Sequence, residues 1–525
     1  MKKLLSLLSV LLLSTQLCLA ADTATDNTLE TNNTVNNGGL NTKASNFALK
    51  DNESPDCQNV YFGIDGGFAK RKGFAQLDDH PLNSTADVTG VYQYTQKDGD
   101  TYLIETAGNK VGFSTSFSTV SWSDHITGNL TITPEALFDF DTLNDVCVFT
   151  NGEDPPMQWT GSGNAEHIVD VPTNLTKAKW VTTFENRMFF GNVYTDTDMP
   201  SRIYWSALKD PTSWNALDYL DISTDDGEEI MGMEVLADRL VVFKESSVFN
   251  VLYTGDPDIP FVVGQSGSSA GAASGYTIKP VGAGLVYMSY DGLYLYDGMY
   301  SGKISYNVDT IFVTGMNRGE MGKFVAETYD DLNQLWLSYV RAGQTEKDRI
   351  LVWDYFNNAF TLYKGISANT LCSVSVTGEE RLFSGNIDGH LYRQNTALND
   401  NGTAIEAYYW TKWFDFGRPL ENKAVKHAVV YLENVGDYAI NVGYNWNFAD
   451  GVWRSIDITM NEGVGYFVGT AIVGTAYASE EGGIVRRLDL SGSGKVFRLR
   501  FYNNGLNEEF HVRGFALTGE FLGIR

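Results

Sequence analysis

Gly232 to Gly255 reads GMEVLADRLVVFKESSVFNVLYTG. Short runs rich in β-branched and aromatic residues are separated by Ala-Asp and Glu-Ser-Ser turns, so the stretch predicts a run of strands joined by tight connections. The same pattern returns from about Val88 to Asn401. Its clearest members begin at Thr101 (TYLIET), Asp145 (DVCVFT), Arg187 (RMFFGN), Arg239 (RLVVFK), Gly284 (GLVYMS), Gln334 (QLWLSY) and Arg381 (RLFSGN).

Counting from Tyr102, Val146, Met188, Leu240, Leu285, Leu335 and Leu382, the spacings are 44, 42, 52, 45, 50 and 47 residues. About ten residues upstream of each lies a partner run: GVYQYT, ALFDFD, KWVTTF, MGMEVL, YTIKPV, KFVAET and LCSVSV. A repeat of this length matches the ~40–50-residue blade of a β-propeller. A four-stranded blade cannot cover both of its own faces, and a closed ring covers them for every copy. The competing readings are a string of unrelated β-sandwiches, which would need clearer linkers, and a β-solenoid, whose coils are usually shorter.

Beyond Asn401-Gly402 the rhythm changes to longer strands: YYWTKWFDFG, KHAVVYLE, YAINVGYN, RSIDITM and KVFRLRFYN. In the last, Phe497, Leu499 and Phe501 alternate with Arg498 and Arg500, which predicts one buried and one wet face, as in an antiparallel sandwich. No stretch carries the apolar stripe and caps of a long helix. The fold class expected is therefore all-β: a β-propeller of about seven blades followed by a C-terminal antiparallel β-sandwich. A chain of 525 residues is too long for one core, which agrees with two domains.

Residues 1–20, MKKLLSLLSVLLLSTQLCLA, have the three-part pattern of a signal peptide. Ser14, Thr15 and Gln16 leave the apolar run shorter than a spanning helix needs. Residues 21–37 are small, polar or acidic and predict a flexible leader. The expected division is then a lead-in segment at 38–87, the propeller at 88–402 and the sandwich at 403–525, with no membrane span in the mature chain. Three cysteines remain after the signal, Cys57, Cys147 and Cys372, enough for at most one disulfide.

The net charge is −27, and removing Lys2 and Lys3 with the signal would make it −29. So acidic a surface repels phosphate backbones, which excludes tight nucleic-acid binding but not passage of DNA through an acidic lumen.

Motifs for chemistry are sparse. Gly267-Ser268-Ser269-Ala270-Gly271 satisfies G-x-S-x-G but lacks the strand-turn-helix context of a nucleophile elbow. His80, His125, His167, His390, His427 and His511 are scattered and form no ligand pair. Three acidic clusters (Asp139, Asp141 and Asp145; Asp225, Asp226, Glu228 and Glu229; Asp256 and Asp258) offer oxygen ligands for Ca²⁺ or a glycosidase pair, or are simply solvated turns. Tyr287, Tyr290, Tyr294, Tyr296, Tyr300, Trp410 and Trp413 suit either a sugar-stacking surface or blade and sandwich cores. No catalytic, cofactor-binding or metal residue is assigned, and no cofactor is expected.

Several segments resemble the structural propeller proteins of bacteriophage tails and head-to-tail connections. At the N-terminus these are Gly38-Gly39-Leu40-Asn41-Thr42, then Leu49, Asp51 and Glu53, then Asn59-Val60, and Lys70-Arg71-Lys72-Gly73. Further on they are Arg202 to Ile222, Gly232 to Gly255, Gly284 to Gly298 and Phe414 to Glu433. The resemblance implies a non-enzymatic virion protein similar to the nozzle or DNA-stabilisation proteins of short-tailed phages, present as a homo-oligomeric ring beside other virion proteins. It also implies that the segment from Gly38 docks on or closes the propeller, where the blander expectation is an arm reaching a neighbouring subunit. A signal peptide departs from that picture, since tail parts assemble in the cytoplasm. The alternatives are an exported cellular propeller, secreted, periplasmic or on the cell surface, that binds a glycan or surface partner, and a secreted glycosidase.

Overall fold

The computed structural model describes residues 28–33, 36–45, 47–122, 124–172, 174–449, 451, 453–461 and 483–524, so the expected signal peptide lies outside it. The chain is all-β, built of small antiparallel sheets with a few single-turn helices. No helix among the described residues is long and apolar enough to cross a membrane.

Seven groups of four strands follow one another. The first is Val88–Thr95, Thr101–Ala107, Lys110–Ser114 and Asp124–His125, and the second is Asp139–Leu143, Val146–Thr150, Met157–Trp159 and Glu166–His167. The third comprises Lys177–Phe184, Arg187–Tyr194, Asp198–Ala207 and Asp210–Asp221, and the fourth Ile230–Leu236, Arg239–Lys244, Val248–Tyr253 and Phe261–Gln265. Lys279–Val281, Gly284–Ser289, Gly292–Tyr296 and Ser301–Lys303 make the fifth. Val325–Tyr329, Gln334–Val340, Lys347–Asp354 and Ala359–Lys364 make the sixth. The seventh has Ala368–Val376, Glu379–Asn386 and Leu391–Ala397, and takes its fourth strand, Gly73–Gln76, from far upstream. That strand pairs antiparallel with the third, Gln76 opposite Tyr392 and Ala75 opposite Arg393.

All seven paired runs read from the sequence fall on or overlap the first and second strands of these groups. Each group lies against the next, and Ala368–Val376 of the seventh lies beside Val88–Thr95 of the first. The layers between them are apolar: Val88, Leu103, Val374 and Phe383 between seventh and first, Tyr94, Ile104, Phe149 and Trp159 between first and second. Cys57, Cys147 and Cys372 are buried free thiols.

The sixth group does not end at its fourth strand. Through Cys57–Gln58 it continues into Ala407–Trp410, Phe497–Asn503, Ala439–Trp446 and Arg454–Thr459, a sheet of nine strands. A second C-terminal sheet runs Gly483–Asp489, Asn422–Glu433, His511–Gly523, Phe68–Lys70, Val60–Phe62. One hydrophobic core joins these sheets to the fifth and sixth groups, from Met288 and Leu337 through Phe360 and Phe68 to Phe501 and Phe515.

Two expectations are corrected. Residues 28–33 do not belong to a flexible leader: Thr28–Asn33 pairs antiparallel with His511–Gly523, Leu29 opposite Gly519, with the Leu29 side chain buried. A long strand with an unpaired edge offers a row of free N–H and C=O groups, which compensates for a segment with little apolar surface of its own. The second concerns the C-terminal strand, where Phe497, Leu499 and Phe501 are buried as expected but the opposite face is not simply wet. Arg498 is 3% exposed, its guanidinium 4.2 Å and 4.4 Å from the ring centres of Trp410 and Trp413. Stacking between indoles lets a weakly hydrated guanidinium leave water.

Candidate functional site: the cavity between the first strands

The first strand of each group brings one or two polar side chains to a shared cavity of about 400 Å³. Gln93, Asp139 and Asp141, Thr182, Glu234, Lys279, Glu327 and Ser373 line it, one contribution from every group. Alternation along each strand turns the flanking residues into the layers between sheets and leaves these facing inward.

Lys279 Nζ lies 2.9 Å from Glu327 Oε2. Asp139 Oδ2 accepts from the Val181 N–H at 2.9 Å, and Asp141 accepts from the N–H groups of Thr142 and Thr183. Glu234 Oε1 accepts from the Val235 N–H at 3.0 Å. Tyr276 closes one side, its hydroxyl donating to the Leu137 carbonyl at 2.9 Å and its ring 4.8 Å from that of Trp180. Burial pushes Asp139 and Glu234 each up to about 7 and raises Asp141, backbone N–H groups and Lys279 opposing it only in part. Burial pulls Lys279 down, but the Glu327 carboxylate more than reverses this and holds it above the usual range. Four carboxyl groups therefore share one ammonium.

This has a measurable consequence. Unfolded, Asp and Glu titrate near ~4. Folded-state values near 7 mean that the stabilising contribution is complete below the unfolded values and is lost as pH rises through about 7, because the native state binds the extra protons. The double variant Asp139→Asn, Glu234→Gln should stay close to the parent at about pH 4 and exceed it by roughly 5–8 kcal/mol at about pH 8. Urea unfolding across that range measures the difference, and parallel curves would refute it.

The sequence flagged Asp139 and Asp141 but missed Glu234, Glu327 and Lys279, which share their place in the repeat and nothing local. Asp145, grouped with the first two, sits at an outer turn and accepts from the Lys97 N–H. Asp226 pairs with the fully buried Lys244, Glu228 receives the Ser246 and Ser247 hydroxyls and Glu229 the Asn192 amide, so this cluster ties turns together. Asp256 and Asp258 lie in one exposed turn. Among the described residues no group of three or more His, Cys, Asp or Glu converges as metal ligands.

The G-x-S-x-G residues lie in the loop between Phe261–Gln265 and the single turn Gly275–Thr277, with no helix of nucleophile-elbow length following. His80, His390, His427 and His511 each face a carboxylate, Asp79, Asp78, Asp489 and Glu433: the first two lie beside consecutive aspartates and the last two on paired strands of a C-terminal sheet. Of the aromatics, Tyr287, Tyr296 and Trp413 are core, Tyr290 and Tyr300 are exposed, and Tyr294 and Trp410 are half-buried.

No protein-family model matches the chain, and no curated protein matches it. Among solved structures, the computationally designed Ika8 protein aligns at 11% identity and a TM-score of 0.36, over 61% of this chain and all of that one. PorZ, described as an essential bacterial surface component of the type-IX secretion system of Porphyromonas gingivalis, aligns at 11% identity and a TM-score of 0.37. That alignment takes in 63% of this chain and 42% of PorZ.

Proposed function

We propose that this protein is a non-enzymatic building part of a phage-type tail or head-to-tail assembly. On this reading the seven groups close as a seven-bladed β-propeller over residues 88–402, sealed by Gly73–Gln76, and the C-terminal sheets are a β-sandwich fused to it. What supports the proposal is where the residues that carry the resemblance to tail proteins fall. Asn59, Arg71 and Gly73 sit where the N-terminal segment, the sixth and seventh groups and the C-terminal sheets meet. A signature spent on welding two modules into one rigid body suits a wall element. It does nothing for turnover.

The net charge of −27 suits the wall of a DNA passage, since like charge keeps the phosphate backbone from adhering. A 400 Å³ cavity is far too small for a duplex, so the lumen would lie between copies in a ring. Mass photometry and negative-stain microscopy of the full chain test this. The expected result is closed rings of several copies, and a protein that stays monomeric at every concentration and joins no particle would overturn it.

A further inference from the structure

The outward face of the C-terminal part of the nine-stranded sheet carries an ordered row that lies outside the core. Register across four strands places Tyr408 opposite Tyr502, Tyr502 opposite Asn441, and Asn441 opposite Asp457. One step along, Trp410 stands opposite Arg500 and Arg500 opposite Gly443. A Cβ on Gly443 would come within 3.1 Å of the Trp453 ring and 3.4 Å of Arg500 Nε, so the missing side chain is what lets that indole lie beside the guanidinium. Arg500 is held between Trp453 and Tyr502, 4.8 Å and 4.9 Å from their ring centres.

The polar groups in this row are only partly used. Among the described residues Arg500 makes one hydrogen bond, from Nη2 to Asn441 Oδ1 at 3.3 Å, and its Nε has no acceptor. A guanidinium has five donors, and with the Nε–H buried it is the Nη hydrogens not given to Asn441 that are left for a ligand. The Asn441 amide in turn donates to Asp457 Oδ1 at 2.7 Å, which fixes both ends of the row. Asp457 is exposed, and Arg500, Tyr502 and Asn441 are half-buried. They border a groove of about 520 Å³ that also reaches Asn504 and Glu508, a volume within the ~300–1,000 Å³ of small-ligand sites.

The chemistry selects the ligand. Arg500 can only donate and Asp457 can only accept, so a group able to do both, a hydroxyl, satisfies the two together. A phosphate or carboxylate ligand would meet Asp457 and Glu508, and a cation would meet Arg500. Tyr502, half-buried and bordering the groove, offers flat apolar surface beside those polar groups, which suits a molecule with an apolar face and a polar rim. We propose that this face binds a neutral oligosaccharide, one pyranose ring lying along Tyr502 with its hydroxyls shared between Arg500 and Asp457.

The full-length protein, fluorescently labelled, is applied to an array of short neutral gluco-, galacto-, manno- and N-acetylglucosamine oligomers, and a retained sugar is then titrated calorimetrically. At least one neutral oligomer should be retained. Tyr502→Ala and Asp457→Ala should each weaken it at least ~tenfold, with a sugar-free thermal midpoint close to the parent's. Asp457 is exposed, so its variant carries the test if Tyr502→Ala does not fold. An array that retains no neutral sugar overturns the proposal. So does an affinity unchanged by Asp457→Ala, retention confined to sulfated or uronate sugars, or capture of a protein at this face that competes with every sugar.

Discussion

Arg71→Ala is expected to lower stability by about 3–5 kcal/mol, the cost of leaving one member of a buried ion pair without its partner. Arg71 is 3% exposed and its fork meets Asp400 twice, at 2.8 Å and 2.7 Å. The remaining donors reach Asn59 Oδ1 at 2.9 Å and the carbonyls of Lys72 and Lys364 at 3.0 Å and 2.9 Å. All five are engaged, and the guanidinium also lies 5.4 Å from the centre of the Tyr363 ring. Asp400, in the turn after the seventh group, would be left without its partner in a nearly closed site. Since folded domains are stable by only ~5–15 kcal/mol, the variant should show a markedly lower urea midpoint. Arg71→Lys should recover only part of the loss, because an ammonium cannot span two carboxylate oxygens, a side-chain amide and two carbonyls at once. Arg71→Ala, Asp400→Ala together should be more stable than Arg71→Ala alone. A single-variant loss below about 1 kcal/mol would remove Arg71 from its place at the junction.

Gly73→Ala is expected to cost roughly 3–4 kcal/mol and to act on one strand. A Cβ there would sit 1.9 Å from the Asn399 carbonyl oxygen and 2.4 Å from its carbon, with Asp400 Oδ1 at 2.8 Å. The obstacle is backbone, so no rotamer relieves it. Gly73–Gln76 must then move away from Leu391–Ala397, which exposes the edge of the seventh group and the apolar layer it shares with the first. Hydrogen exchange should show fast amides in those two strands while the third and fourth groups stay protected. Uniform loss of protection would mean that the strand does not close the fold as a local latch, and unchanged protection would mean that the steric argument is wrong.

Both sites were named in the sequence only as letters of a resemblance, and their physical role was not legible there. The seven pairs of runs were legible because each strand is long enough to display β-rich composition and is bracketed by turn residues. The opposite holds at the front of the chain. Cys57–Gln58, Val60–Phe62, Phe68–Lys70 and Gly73–Gln76 have two to four residues each, too few to show a period, and Thr28–Asn33 looks like a solvated leader. Their strand character comes from the edges they meet. Arg498 shows the same limit from another side: its alternation marks it as solvent-facing, and its burial is favoured by tryptophans from two other stretches, Trp410 and Trp413 in one and Trp453 in the other.

The candidate cavity divides in the same way. Asp139 and Asp141 were visible as a local acidic pair, whereas the buried ensemble with Glu234, Glu327 and Lys279 exists only because four strands meet. What the sequence by itself determined was the β character, the repeat and the acidity, since composition and short-range alternation are properties of neighbours along the chain. The tertiary structure alone decided which carboxyl groups lose water, which arginine is fully paired and which upstream strand completes the seventh group. Desolvation and close approach depend on contacts between residues from about forty to more than three hundred positions apart, and no local pattern encodes them.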